Sequence, residues 1–535
     1  MENKNLEKFR YEQNVSFAKN VLMLAIAQIV VKVLGLVYKI IIVNIDGFGN
    51  TGSGYYSTGY QIYMVLLAIS SIGIPNVVSK LVSERIAKSD HKAAYRVFSL
   101  TFKIVTAVAF VLAAILFIFA KQVSVALFNT DGVAYTLMAL SPAVLFVSSN
   151  SVLRGYFTGL GSLKSTSISE IVEQFFNCLL SILFVYMAVG NSTPIMAAAG
   201  NVSTSVAALI SLGYMASHFA LRKKYIKLEC KEQSVPTEKI NTMALIKTIV
   251  YLAVPAAFAS LVSTLSSNID SITVNQITGD MAAYGLMSKT ETLTHLPLAL
   301  GATLFTAMVP VVSSKLSKGE KYSASKHLSD TLFLSNTIML PCAAGFIVLA
   351  TPILKLLYPN VWDGGFLLQL QTIAMIFASI TFVLNGAFYG MGKQKFPAVI
   401  LLIGAILKLL LNVITLSLFN LGAVGAVIST IIYQLAVTVA EWFILKRYIT
   451  IKIEYLRQIV KPIVSTLIMA LIVYVSYYLL SMVFGNTIST LGSIIIGALS
   501  YFIVILKLKT FTKNDISLLP MGNKIYSILN KIKLI

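Results

Sequence analysis

Charged side chains inside long apolar runs are the residues of this sequence whose chemistry demands a partner. An ionisable group at the centre of a membrane-spanning helix costs roughly 2.5–3.5 kcal/mol on insertion scales, so it persists where water, a counter-charge or a ligand meets it. Lys32 lies deep in AQIVVKVLGLVYKIIIV, and Lys39 follows seven residues later on the same helical face. Lys289 and Glu291 share the stretch GLMSKTETLTHLPLALG. Glu170 and Glu173 open one apolar run, Asp270 closes another, Lys408 stands inside a third and Glu441 lies near the end of a fourth. Ammonium groups in a hydrated chamber offer point charges to a phosphate. Carboxylates at similar depth can carry a proton or Na⁺. The expected substrate-binding residues are therefore Lys32, Lys39 and Lys289, and the candidate ion-coupling or cavity carboxylates are Glu173, Asp270 and Glu291. Blander readings stand beside these. Lys32 could form an internal ion pair, Lys39 could snorkel outward, and Glu170 could favour a helix N-terminus through the macrodipole. Lys408 and Glu441 could pair with each other.

Catalytic chemistry finds no support. GFGNTG (47–52) matches G-x-G-x-x-G, but no strand–helix–strand unit surrounds it, so it is expected to be a turn between the first two spans. No Walker A, H-E-x-x-H or G-x-S-x-G motif occurs, and the four histidines are scattered. Cys178, Cys230 and Cys342 are far apart and have no metal-ligand spacing, so neither a disulfide framework nor a metal site is expected. No enzyme activity and no cofactor are expected. Any pumping must draw on membrane potential, H⁺ or Na⁺, or the substrate's own gradient.

The elements that position these residues follow from composition. Of 535 residues, 57% are hydrophobic and only 12% are charged, about half the charged share of a soluble domain. That excludes a soluble enzyme, a disordered chain and a disulfide-rich scaffold. Apolar runs of about 20 residues fall at 18–44, 57–80, 97–120, 132–154, 166–190, 194–220, 244–268, 283–312, 328–352, 364–389, 397–418, 422–445, 458–483 and 486–507. The expected fold class is an all-α polytopic membrane protein with 14 transmembrane helices. With the N-terminus inside, 36 of the 42 Lys and Arg residues fall on the two tails, the even-numbered connections or the span ends that adjoin them. The net charge of +21 is thus topological first, and attractive to anionic inner-leaflet lipids second. It is not read as a nucleic-acid surface. A multi-pass protein of the cytoplasmic (cell) membrane with both termini cytoplasmic is expected.

The chain also repeats. VLRGYFTGLGSL (152–163) matches VLNGAFYGMGKQ (383–394) at an offset of 231, and IPNVVSKL (74–81) matches VPVVSSKL (309–316) at an offset of 235. The offset spans six helices, an even number, so the repeats are parallel, as in some transporters. The expected organisation is an N-lobe of six helices (1–221), a cytoplasmic basic linker (222–243), a six-helix C-lobe (244–446), two further helices (447–510) and a cytoplasmic amphipathic tail (511–535). Pro75, Pro142, Pro255, Pro297 and Pro310 are candidate bend points. LVSERIAKSDHKAAY (81–95) and the tail are each either an inner-leaflet amphipathic segment or a solvated one.

SSIGIPNVVSKLVSERIA (70–87), VLRGYFTGLGSLKSTSISEIVEQ (152–174) and the fourteen-helix plan resemble the polysaccharide-exporter branch of the MATE-like MOP superfamily. The nearest group is that of the stage V sporulation protein B and MurJ-like lipid II flippases. The resemblance implies an alternating-access carrier with a central cavity between the lobes, lined by the first, second, seventh and eighth spans. It implies movement of undecaprenyl-diphosphate-linked sugars from the inner to the outer leaflet for peptidoglycan or other cell-wall polysaccharide synthesis. Such flippases place basic residues in the first and eighth spans. Lys32 matches the first such position, Tyr38 stands at a second with Lys39 beside it, and Lys289 is the match in the eighth span. The expected cargo is a lipid-linked sugar diphosphate, lipid II first, carried by a monomer that works alongside cell-wall synthesis proteins. The alternatives are a multidrug–cation antiporter, an exporter of another polysaccharide-linked lipid, and a non-transporting scaffold.

Overall fold

Apolar runs of this length have one open-ended solution in lipid, the α-helix, which satisfies every backbone group within the segment. The computed structural model describes residues 17–233, 241–451 and 454–511. Most of the expected N-terminal basic tail, linker residues 234–240 and nearly all of the amphipathic tail lie outside the described residues.

The first part of the chain forms α1 (Phe17–Val43), α2 (Gly49–Ser70), α3 (Ile74–Ala87), α4 (His91–Ile118), α5 (Ala120–Phe128), α6 (Gly132–Gly159), α7 (Leu163–Met187), α8 (Thr193–Glu232) and α9 (Thr242–Thr278). The second part forms α10 (Met281–Ser317), α11 (Lys321–Val348), α12 (Ala350–Leu357), α13 (Gly365–Gly390), α14 (Lys395–Val413), α15 (Gly422–Lys446), α16 (Lys461–Ser481) and α17 (Asn486–Lys507). Short π-helical turns, Ile414–Leu418 and Leu456–Val460, extend α14 and precede α16. The fold is all-helical and polytopic. Among the described residues, 12 stretches are long and apolar enough to cross a membrane, with α2 and α3 counted as one. α1 and α9 occupy the positions of the first and seventh expected spans.

Several expectations are corrected here. The second span starts at Gly49, so the latter half of GFGNTG is already helical. The helix then breaks at 71–73, and Pro75 stands in the first turn of α3, where its missing N–H costs nothing. The segment 81–95 is helical on both sides of a turn and partly buried. It is the end of α3, a turn and the start of α4, with Leu81, Val82, Ala93 and Ala94 buried in protein. Asp90 caps α4 by accepting from the Ala93 N–H at 3.0 Å. Glu170 and Glu173 lie beyond the first turn of α7, and Asp270 lies inside α9 rather than at its end.

The chain divides into two compact units, 1–288 and 289–535, with the division inside α10. In the first unit α6 packs against α8, α4, α3 and α2. Its glycines explain the close fit: a Cβ on Gly155 would stand 2.8 Å from the Pro75 carbonyl oxygen, and one on Gly159 2.8 Å from Val82 Cβ. In the second unit Gly386 and Gly390 of α13 meet Met308 and Val312 of α10 in the same manner, at 2.9 and 2.8 Å. The glycine pairs are related by the offset of 231. Their partners, Val78 with Met308 and Val82 with Val312, are 230 apart. The IPNVVSKL and VPVVSSKL match at 235 is therefore five residues out of structural register.

Candidate functional site

Gln28, Lys32, Gly35 and Lys39 fall at i, i+4, i+7 and i+11 on α1 and form one stripe. α7 packs against this helix. Gln28 Nε2 donates to Glu170 Oε2 at 2.7 Å, and a Cβ on Gly35 would sit 3.4 Å from Gln174 Nε2. Lys32 lies between those two contacts. It is exposed and has no hydrogen-bond or ion-pair partner among the described residues. Lys39 is half-buried and engaged. Beside it the buried Tyr38 hydroxyl stands 3.1 Å from that of Tyr56, which begins a row of rings through Tyr60 to Tyr63.

A second layer lies on α6, α7 and α8. Arg154 donates to Glu173 Oε2 at 2.6 Å, to Ser169 Oγ at 3.0 Å and to Ser211 Oγ at 3.1 Å. Asn150 Nδ2 donates to Ser211 Oγ at 2.9 Å. Side-chain exposures of 15% for Arg154 and 26% for Glu173 make this a largely enclosed pair. Glu173, a candidate ion carrier from sequence, is thus the counter-ion of an arginine. Arg154 lies within α6.

In the second unit the ammonium of Lys289 is fully enclosed. Its Nζ donates to the Val361 carbonyl at 2.6 Å, lies 3.4 Å from Asp363 Oδ1 and stands 5.3 Å from the Tyr358 ring centroid. The loop 358–364 between α12 and α13 supplies all three groups. Burial pushes the Tyr358 hydroxyl above its ordinary value, so it stays a neutral phenol. Glu291, two residues on, is half-buried with Oε1 3.5 Å from His295 Nε2.

The six expected site residues have different partners within their own units. The structure sets Lys32 on the α1 stripe between Gln28, which bonds Glu170, and Gly35, which approaches Gln174, and it gives Glu173 to Arg154 and Lys289 to the loop of Asp363. Asp270 is buried in α9 and engaged. The alternative Lys408–Glu441 pair does not form among the described residues: Lys408 Nζ lies 5.7 Å from the Tyr433 ring centroid, and neither Glu441 oxygen has a hydrogen-bond partner there. Sequence reasoning missed Arg154 and Asp363. An arginine continuing an apolar run, with a glutamate 19 residues later, was the available signal for the first. Nothing local pointed from the exposed Asp363 to Lys289. Among the described residues, no three His, Cys, Asp or Glu side chains converge as metal ligands.

Long apolar helices that carry buried charges define a polytopic membrane protein, and the family matches set its class. The chain belongs to the MOP superfamily: the polysaccharide biosynthesis protein family matches residues 17–316, and the lipid II flippase MurJ family matches residues 230–498. Among curated proteins it is 25% identical to the Bacillus subtilis (strain 168) lipid II flippase MurJ over 498 residues, 87% of this chain and 89% of that one. It is 23% identical to stage V sporulation protein B of the same organism over 524 residues, 95% and 98% of the two chains. A solved structure of lipid II flippase MurJ in an inward closed conformation superposes with a TM-score of 0.69 at 16% identity, covering 90% of this chain and 98% of that one.

Proposed function

We propose that this protein carries an undecaprenyl-diphosphate-linked sugar, lipid II in the first instance, from the inner to the outer leaflet by alternating access. The observation that carries the reading is Lys32, an ammonium within α1 with no partner among the described residues, one turn from Gln28 and its contact with Glu170. A cation at that depth is stable in contact with water or an anion and costly against acyl chains. A sugar-diphosphate head cannot shed its water into hydrocarbon without replacement partners. Lys32 and the neighbouring Lys39 supply such partners, while the polyprenyl tail stays in lipid. Lys289 enters differently, since its ammonium is already satisfied and binding an anion requires release from Asp363 and Val361.

The family and the full-length similarity to a lipid II flippase support the cargo class. The repeated glycine packing of α6 on α3 and α13 on α10 supports two parallel six-helix lobes followed by two helices, fourteen spans in all. The Lys and Arg distribution supports cytoplasmic termini. The test is depletion in a strain without a redundant flippase, followed by a leaflet-resolved assay of lipid-linked precursors. Accumulation on the inner leaflet is expected, and unchanged delivery to the outer leaflet contradicts the proposal.

A further inference from the structure

Glu441 on α15 is 0% exposed, yet neither of its carboxyl oxygens has a hydrogen-bond partner among the described residues. Its surroundings are well defined. About two turns earlier, Gln434 donates to Thr381 Oγ1 at 3.1 Å, and one turn earlier the Thr438 hydroxyl stands 2.9 Å from that of Thr381, which ties α15 to α13. One turn later, Leu445 joins the apolar cluster of Leu384 and Phe388 from α13. The two helices therefore run the same way, and their register places Asn385 level with Glu441. Asn385 Oδ1 is likewise buried without a partner.

The other titratable groups are few. Tyr389 on α13 interacts electrostatically with Glu441. α14 faces α15 here with Ile400 and Leu401, and its Lys408 is held at Tyr433, about two turns away. α10 and α11 contribute apolar side chains to the adjoining cluster. A bare carboxylate in such a place is several kcal/mol too costly to persist, and a purely structural position would hold a leucine or a partnered amide.

We infer that Glu441 is a proton-binding site: it holds its proton while α13 and α15 are packed, and releases it to water when that contact opens. On release the carboxyl O–H bond breaks, a water molecule takes the proton and a solvated carboxylate remains. The inference does not depend on the identity of the cargo.

Infrared spectroscopy of the full chain in liposomes tests this. The wild type should show the carbonyl band of a protonated carboxylic acid at neutral pH, and Glu441→Gln should lose it. The band should fade as pH is raised while circular dichroism shows the helices intact. A band unchanged in Glu441→Gln, or one that persists until the protein unfolds, overturns the inference. Should the amide variant not fold, Glu441→Asp must shift the band, and an unshifted band is equally fatal. Because no transport is measured, failure here is distinct from failure of the flippase reading.

Discussion

Arg154 on α6 and Glu173 on α7 meet at 2.6 Å, and the two hydroxyls that flank the guanidinium, Ser169 and Ser211, come from α7 and α8. One ion pair thus fastens three helices of the first unit behind the stripe that carries Lys32. Removing one partner of an enclosed pair strands the other, at a cost of about 3–5 kcal/mol when burial is complete and less for the partial exposure here. The two sides are not equivalent, because a stranded carboxyl can neutralise itself with a proton and a guanidinium cannot. Glu173→Leu should therefore lower the thermal midpoint of the detergent-solubilised protein more than Arg154→Leu. The double variant should recover part of the loss. A double variant as unstable as the sum of the singles rules out the pairing.

Helix contact through glycine gives a second prediction. A methyl at Gly155 or Gly386 would meet the Pro75 carbonyl oxygen or Met308 Cβ at under 3 Å, and forced overpacking of this kind costs typically about 1–3 kcal/mol. At Gly285 the obstruction is the Asn50 backbone itself, so Gly285→Ala should be the worst of the three. Gly213 on α8 has nothing within 4 Å, and Gly213→Ala should be neutral or slightly stabilising. Ranking the four variants by thermal unfolding checks the packing, and a destabilised Gly213→Ala alongside a tolerant Gly285→Ala would falsify it.

The positions of the helices were legible in the sequence because lipid leaves an apolar 20-residue run few choices. The glycine repeat was legible because close packing admits only the smallest residue at 155, 159, 386 and 390. The charge partners were not. Arg154 extends an apolar run by one residue, and a charge there is equally consistent with a helix end and with an internal ion pair. Lys289 finds Asp363 more than seventy residues away across a loop, and no local pattern encodes that pairing. The helices α5 and α12 were missed because runs of nine and eight residues are too short to carry a helical period.

Lys289 and the 358–364 loop give a third prediction. The ammonium is the shared donor for Val361 and the counter-charge of Asp363. Lys289→Met should release the loop, seen as faster hydrogen exchange at amides 358–364 with α13 protected as before. Unchanged exchange in the loop means that the lysine does not hold it.

Tyr358 sets a pH dependence. Its hydroxyl is held above the ordinary value by burial, so the folded protein keeps that proton where the unfolded chain, with a phenol near pH 10, gives it up. The contribution is fully present at neutral pH and is lost as pH rises beyond about 10. Tyr358→Phe should show a shallower alkaline loss of stability than the wild type, by denaturant unfolding at several pH values. Parallel curves contradict the assignment.

Lys32 remains the centre of the account, because its ammonium has no partner among the described residues and is open to water or cargo. The direct measurement is leaflet-resolved translocation of a lipid-linked sugar diphosphate by purified wild type and Lys32→Gln in liposomes, with equal insertion verified. A carrier that clamps the diphosphate through this residue loses at least tenfold in rate, about 1.4 kcal/mol of interaction, while the fold and the Arg154–Glu173 pair stay intact. Full translocation by Lys32→Gln contradicts the central claim.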